Sequence, residues 1–161
     1  MKRIALPLAF VAILGIFAIW WFSDTQVLKR RTQSLLTTLT FEAGVGRTTR
    51  QLGAYTLNSI LAPSIELETP TLNEANGTFD RSDLESAYSW LCNQAKQSNF
   101  EVRKFNNITI AGQEATLNVT LFGLVELPSY RPADGTYDVV FRWKKGEDGW
   151  RLYSAKWTQK P

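Results

Sequence analysis

The chain has 161 residues, of which 44% are apolar and 20% charged, a composition typical of a globular protein of one domain. An isoelectric point near 9.1 does not indicate a nucleic-acid binder. Without Lys2 and Arg3 the chain has 16 basic and 15 acidic residues, and positive and negative charges are interspersed along the sequence. The chain has no histidine and one cysteine, Cys92, which excludes an internal disulfide, histidine-dependent nucleophiles and multi-cysteine metal sites. We therefore expect no metal, no cofactor and no nucleic-acid partner.

The N-terminus carries an uncharged apolar run, IALPLAFVAILGIFAIWWF, over residues 4–22, directly after two basic residues. As a helix this run would span roughly 30 Å, the thickness of the hydrocarbon core of a bilayer. A cleaved signal peptide has a similar start, but here the run ends in Trp20-Trp21-Phe22 rather than in small residues, and such rings suit the headgroup level. The sequence predicts an uncleaved membrane anchor over residues 1–23, with lipid contacts through residues 4–22.

Basic residues on both sides of the run bear on its orientation. Lys2 and Arg3 favour a cytoplasmic start, whereas Lys29, Arg30 and Arg31 favour the opposite arrangement. Because so short an N-terminal segment usually stays in the cytoplasm, we expect this orientation for a single-pass protein of a bacterial inner membrane. The remaining domain, residues 24–161, would then lie outside the cytoplasm.

Three helices are predicted in that domain. The first runs from Asp24 to Leu39 and is expected to continue the anchor helix. The second runs from about Gly46 to Ala62, with an apolar face that includes Leu52, Tyr55, Ile60 and Leu61. The third begins at a capping box, Ser82-Asp83-Leu84-Glu85, and runs to about Gln97 with an apolar face of Leu84, Tyr88, Leu91 and Ala95.

The strands are predicted from a period of two. A short strand covers Ser64–Thr69, a loop covers residues 71–79, and four strands cover about 100–110, 114–126, 136–145 and 150–158. In the second of these four, one face is almost wholly apolar and the other polar, which indicates a sheet covered on one side. The sequence therefore predicts an α+β fold: about three helices packed against one face of a curved antiparallel sheet.

Three stretches carry a resemblance to a known superfamily: LAPSIEL at residues 61–67, NITIAGQEATLNVT at 107–120 and VFRWKKGEDGWRLYSAKW at 140–157. In this order they resemble the nuclear transport factor two-like proteins, whose cone-shaped fold is shared by ketosteroid isomerase, scytalone dehydratase and the SnoaL-like polyketide cyclases. The resemblance implies a pocket between the helices and the sheet. Gly123, in an otherwise bulky strand, is where we expect a bulge or bend.

Enzymes of that superfamily usually place an acid or base in the pocket. Glu126 is the candidate catalytic residue, because a bulge at Gly123 would turn it inward; the alternative is a carboxylate on the rim. Tyr55 and Tyr88 are predicted to face inward as ligand-binding residues, and Trp143 is a third candidate. For all three, a purely structural place in the core is the alternative.

These observations favour a membrane-anchored, non-catalytic binding or assembly module with a protein partner or a second copy of the chain. Similar domains behind a single anchor occur as periplasmic assembly components of bacterial type IV secretion machines, an analogy of architecture alone. Two alternatives stay open: a lyase or isomerase that uses Glu126 or a tyrosine, and a carrier of a small apolar ligand.

Overall fold

The computed structural model describes residues 14, 17, 19–70, 75–128 and 132–160. From Asp24 onward these residues form four helical segments and a six-stranded sheet. The elements in chain order are α1 (Asp24–Leu39), α2 (Arg47–Gln51), α3 (Gly53–Ile60), β1 (Leu61–Glu68), β2 (Gly77–Asp80), α4 (Arg81–Gln94), β3 (Gln97–Ala111), β4 (Glu114–Glu126), β5 (Ala133–Gly146) and β6 (Gly149–Gln159). The predicted α+β class is confirmed.

The sheet has the strand order β2-β1-β6-β5-β4-β3. Its four long strands, β3 to β6, form the predicted antiparallel series, whereas β1 lies parallel to β6. Strand β2 falls in the stretch predicted to be a loop and pairs with β1, with Ile65 opposite Phe79. Four residues are too few to show a period of two, so pairing with β1 rather than local pattern defines this strand.

The core lies between the helices and the inner face of the sheet. On β4, the side chains of Ala115, Leu117, Val119 and Leu121 are buried, as the alternation predicts. From the other side, α1 buries Leu28, Leu35 and Leu36, which lie on one face of the helix. Burial of this apolar surface is the main force that holds the helices on the sheet.

Helix α1 is not a continuation of the preceding helical residues, so that expectation is wrong. Ser23 is extended (φ −60°, ψ 143°), and its carbonyl accepts the first bond of a new helix from Val27, 3.0 Å away. The bend brings the ring of Trp21 beside Arg30, whose Cζ atom lies 4.4 Å from the ring centre. Most of the predicted anchor lies outside the described residues, and among those described no helix combines the length and apolar character needed to cross a bilayer.

Two helix boundaries also differ from prediction. The second predicted helix is divided into α2 and α3, and its last residues, from Leu61, belong to β1. Helix α4 begins two residues earlier than predicted, with Asp80 instead of Ser82 as its N-cap, and it ends at Gln94 instead of near Gln97. The capping box joins Asp80 and Asp83, whereas Glu85 accepts a hydrogen bond from Asn58 Nδ2 at 2.9 Å.

Gly123 carries no bulge, in contrast to the prediction. It pairs with Phe100 on β3 and Gly135 on β5 in unbroken register. A Cβ atom at this position would lie 3.1 Å from Cε1 of Phe100, so the glycine accommodates that ring. The register shifts of this part of the sheet lie in β3 instead, between Val102 and Lys104 and between Phe105 and Asn107.

Candidate functional site

An apolar cavity of about 380 Å³ lies between the helices and the inner face of the sheet. Its lining comes from α1, α3 and α4 on one side and from β1, β5 and β6 on the other, and consists of Leu35, Leu39, Leu57, Leu61, Ile65, Leu67, Thr69, Leu84, Ala87, Tyr88, Trp90, Leu91, Phe141, Leu152, Ala155 and Trp157. A concave apolar site of this size is the usual form of a small-molecule pocket. This cavity is therefore the candidate functional site.

No aspartate, glutamate, lysine or arginine stands among the described residues that line this cavity. The titratable side chain in the lining is that of Tyr88, which is 4% exposed. Its hydroxyl oxygen lies 2.6 Å from the carbonyl oxygen of Arg50 and 3.1 Å from that of Thr38, to which it donates. Burial, followed by contact with the Cys92 thiol, raises the pKa of Tyr88 well above its ordinary value, so the phenol stays protonated.

The predicted inward position of Tyr88 is thus confirmed, but its hydroxyl is engaged by the backbone. A proton donor already bonded to two carbonyl groups is poorly placed to serve a ligand. Tyr88 therefore contributes its ring to the cavity and its hydroxyl to the packing of the helices.

Tyr55 does not face inward, which corrects the prediction: its side chain is 81% exposed. Helix α3 buries Leu57 and Ile60, and Tyr55, two residues before Leu57, lies about 200° around the helix from it. The boundary error explains the mistake, because the predicted helix joined α2 to α3 and averaged two different faces.

Trp143 is fully buried and is absent from the lining of the cavity, so the structure does not bring this predicted residue into the candidate site. It lies on the inner face of β5 between Ala115 of β4 and Leu152 of β6. Phe141, two residues earlier on the same face, lines the cavity instead. Trp143 is a core residue near the β5–β6 turn.

Glu126 does not enter the cavity either. With no bulge at Gly123, it keeps the outer face of the sheet, where Gln97 Nε2 donates to its Oε2 at 2.8 Å and Lys96 Nζ lies 3.2 Å from its Oε1. It is a carboxylate on the rim, at the last residue of β4.

Two tryptophans of the cavity lining were not among the sequence-based candidates. Trp157 on β6 makes edge-to-face contacts with Phe100, Tyr137 and Phe141, at ring-centre distances of 6.0, 5.7 and 6.4 Å. Trp90 on α4 is 56% exposed and marks the outer edge of the cavity. The sequence signal for Trp90 was its position three residues after Ala87, which places both residues on the same side of α4 as Leu84 and Leu91.

A second cavity, of about 430 Å³, lies on the other side of Tyr88 and is lined mainly by polar residues between α1 and α2, among them Thr38, Glu42 and Arg50. The Arg50 guanidinium makes structural hydrogen bonds: it donates to the carbonyl oxygens of Ala95 at 2.7 Å, Lys96 at 3.2 Å and Cys92 at 3.3 Å. In the described part of the chain, no three histidine, cysteine, aspartate or glutamate side chains cluster as metal ligands.

Comparison with known proteins identifies the fold through structure and not through sequence. No family model and no curated protein sequence matches the chain. Among solved structures, a nuclear transport factor 2-like superfamily protein from Salmonella enterica is similar at a TM-score of 0.65 and 12% identity, covering 86% of this chain and 92% of that one.

Two further structures agree. A nuclear transport factor 2-like protein from Cytophaga hutchinsonii matches at a TM-score of 0.64 and 15% identity, over 84% of this chain and 98% of that one. A candidate dehydratase of the same family from Streptomyces avermitilis matches at 0.64 and 11% identity, over 86% of this chain and 98% of that one. At such identities the likeness concerns architecture alone. The chain has the cone-shaped α+β fold of the nuclear transport factor 2-like superfamily.

Proposed function

We propose that the protein is a membrane-anchored, non-catalytic binding module that holds a small apolar ligand in the cavity between α4 and β6. The observation that carries this proposal is the chemistry of the lining. Its described residues offer aliphatic and aromatic surface, and its one titratable group, Tyr88, donates to backbone carbonyls. Apolar burial provides affinity for a ligand, at about 25 cal/mol per Å² removed from water, but no proton transfer.

The membrane part of the proposal comes from the sequence. Residues 4–22 would anchor the chain in a bacterial inner membrane, with the domain outside the cytoplasm. A domain held there would meet its apolar ligand close to the bilayer, where such molecules concentrate.

The lyase or isomerase alternative needs an acid or base that reaches the ligand. Glu126, its leading candidate, lies on the outer face and bonds Gln97 and Lys96. This position disfavours the alternative.

The test fills the cavity from α4. Ala87 lines it, and Ala87→Phe would occupy part of the volume that the ligand needs. In the full chain in lipid nanodiscs, we expect saturable one-to-one binding of the apolar fluorophore N-phenyl-1-naphthylamine above the signal of protein-free nanodiscs. Ala87→Phe should weaken this binding by about tenfold or more, because a displaced ligand loses most of its apolar contact.

Asn93→Phe is the matched control, since Asn93 is exposed on the same helix and is absent from the cavity lining. It should bind the fluorophore within about twofold of the unmodified chain. Equal effects of the two substitutions, or no saturable binding to the unmodified chain, would overturn the proposal.

A further inference from the structure

A third cavity, of about 320 Å³, lies where α1 meets the end of α3, and it shares no lining residue with the apolar cavity. It is lined by Val27, Arg30, Arg31 and Ser34 of α1 and by Ser59 and Ile60 of α3. Two adjacent arginines thus line one concave site. They belong to the basic run that follows the predicted anchor.

Arg30 has a buried hydrogen-bond donor without an acceptor. Its Nη1 atom has no hydrogen-bond partner among the described residues, although its guanidinium lies over the ring of Trp21. Ring stacking covers the face of a guanidinium, whereas its N–H groups point outward in its plane and still need acceptors. A buried cationic donor left unpaired is costly, so a hydrogen-bond acceptor that reached the Arg30 guanidinium would stabilise it.

The surroundings of Arg31 add positive charge. Arg31 is half-buried and donates to the carbonyl oxygen of Ser59 at 3.1 Å. Burial, and then repulsion from Arg151, lowers its pKa from the ordinary arginine value. The carboxylate whose charge reaches Arg31 is that of Asp148, and it already accepts a hydrogen bond from Arg151 Nε at 2.8 Å.

We propose that this cavity binds a phosphate group, held by the guanidinium groups of Arg30 and Arg31 with the Ser34 hydroxyl beside them. A guanidinium offers parallel N–H donors that match two oxygens of a phosphate, so an anion of this shape would offer acceptors to both arginines and offset the local positive charge. The Ser59 hydroxyl is not counted, because it donates to the carbonyl oxygen of Thr56 at 2.8 Å.

The phosphate has two possible sources, an anionic lipid headgroup and a soluble phosphate compound. The lipid source rests on the proposed anchor: Trp21 ends the apolar run, and its ring contacts Arg30, so an anchored chain would hold this cavity at the headgroup level. The experiment separates the two sources.

The full chain, purified in a neutral detergent, is titrated by calorimetry with inorganic phosphate, dihexanoylphosphatidylglycerol and dihexanoylphosphatidylcholine. Arg30→Gln removes the unpaired donor and should weaken phosphate-group binding by about tenfold or more, the loss expected for a charge-assisted hydrogen bond. The matched control is Arg47→Gln, which removes one charge at an exposed position of α2 and should stay within about twofold.

Tighter binding of the phosphatidylglycerol than of inorganic phosphate and phosphatidylcholine supports the lipid source, and comparable binding of inorganic phosphate supports the soluble one. Absence of binding in all three titrations overturns the proposal, as does an equal loss in Arg47→Gln, which would indicate diffuse attraction. If Arg30→Gln fails to fold by circular dichroism, Arg31→Lys and Ser34→Ala are measured instead, and unchanged binding in both also overturns it. No arm needs a bilayer, and inorganic phosphate has no apolar part, so the inorganic phosphate titration is independent of the proposed anchor and of the apolar cavity.

Discussion

The hydroxyl of Tyr88 ties α4 to the two segments beside it. It donates to the carbonyl oxygen of Thr38, near the end of α1, and to that of Arg50 in α2. The hydroxyl also lies close to Gly53, because a Cβ atom added there would overlap both this hydroxyl and the Thr38 side chain. A single oxygen thus fixes the distance between helices that enclose two cavities.

Tyr88→Phe keeps the ring in the apolar cavity and removes the oxygen. We expect it to lower the free energy of unfolding by about 1–2 kcal/mol, because two partly buried carbonyl groups lose the hydroxyl donor that they share. Affinity for N-phenyl-1-naphthylamine should stay within about twofold. Urea unfolding and fluorophore titration measure the two quantities.

Tyr55→Phe removes the same atom from an exposed tyrosine and should change the free energy of unfolding by less than about 0.5 kcal/mol. A Tyr88→Phe protein of unaltered stability that no longer binds the fluorophore would instead assign the Tyr88 hydroxyl to the ligand.

Glu126→Gln tests the enzymatic alternative at its candidate catalytic residue. Its partners are the Lys96 ammonium and the Gln97 amide, both on the rim, so the substitution should cost at most about 1 kcal/mol of stability. Fluorophore affinity, and the phenotype of cells that carry the variant, should not change. A Glu126→Gln protein that is stable but gives the phenotype of cells without the protein would favour a lyase or isomerase.

At the scale of elements, the long strands and α1 were predictable because their alternation or helical period is unambiguous over many residues. On β4, one face is apolar from Ala115 to Leu121, and no other structure satisfies that period. Strand β2 and the end of α4 were not predictable in this way. Both depend on distant partners: Ile65 opposite Phe79 in the first case, and the Arg50 guanidinium on the last carbonyls of α4 in the second.

The candidate site follows the same division. The presence of a pocket was implied by the fold, and Tyr88 was found through the apolar face of α4. Tyr55 was misplaced, because the boundary between α2 and α3 is marked only by Leu52 and Gly53, which do not interrupt a helical pattern decisively. Trp143 and Phe141 share one face of β5, and only the packing of the helices above decides which of them borders empty space.

Asp24 joins the start of α1 to the β5–β6 hairpin. Its Oδ1 atom accepts hydrogen bonds from Lys145 Nζ at 2.9 Å and Trp150 Nε1 at 2.8 Å, and these two bonds, that from Lys145 first, lower the pKa of Asp24 below its usual 3.8. A carboxyl group with a lowered pKa stabilises the folded state above its unfolded pKa and loses that effect as the pH falls through the folded value.

Asp24→Asn should therefore reduce the free energy of unfolding at pH 7, by at most about 1 kcal/mol because the side chain is 38% exposed and screened by solvent. The difference between the variant and the unmodified chain should shrink as the pH falls below about 4. Urea unfolding at pH 7, 5 and 3 measures it. Asp134→Asn, at an exposed position of β5, is the control, and an Asp24→Asn difference that stays constant down to pH 3 would contradict the linkage.

At the scale of the whole molecule, the beginning of α1 is where the folded domain and the apolar run meet. Ser23 separates the preceding helical residues from α1. Asp24 bonds α1 to the β5–β6 hairpin through Trp150, and Arg30 contacts the ring of Trp21. A domain fixed so closely to its N-terminal segment would have a restricted orientation at a membrane. Both proposed sites would then keep a constant distance from the lipid.

Membrane attachment itself is the last prediction. The full chain should remain with the membrane fraction after carbonate and high-salt washing, because a spanning helix is held by apolar transfer and not by surface charge. Ile13→Arg combined with Phe17→Arg should release it or prevent insertion, since each arginine near the middle of a spanning helix costs about 2.5–3.5 kcal/mol. Immunoblots of the washed membranes and of the supernatant measure the distribution.

The matched control is Arg30→Gln combined with Arg31→Gln. It also alters two residues, but it removes positive charge beside the bilayer, whereas the test variant adds positive charge inside the spanning helix. If attachment depended on attraction between these arginines and anionic lipids, this control would be released by high salt while the arginine insertions had little effect. A spanning helix requires the reverse order. A mature protein that starts near residue 23 and appears in the supernatant would show that the apolar run is a cleaved signal, and the phosphate site would then have to draw on a soluble ligand.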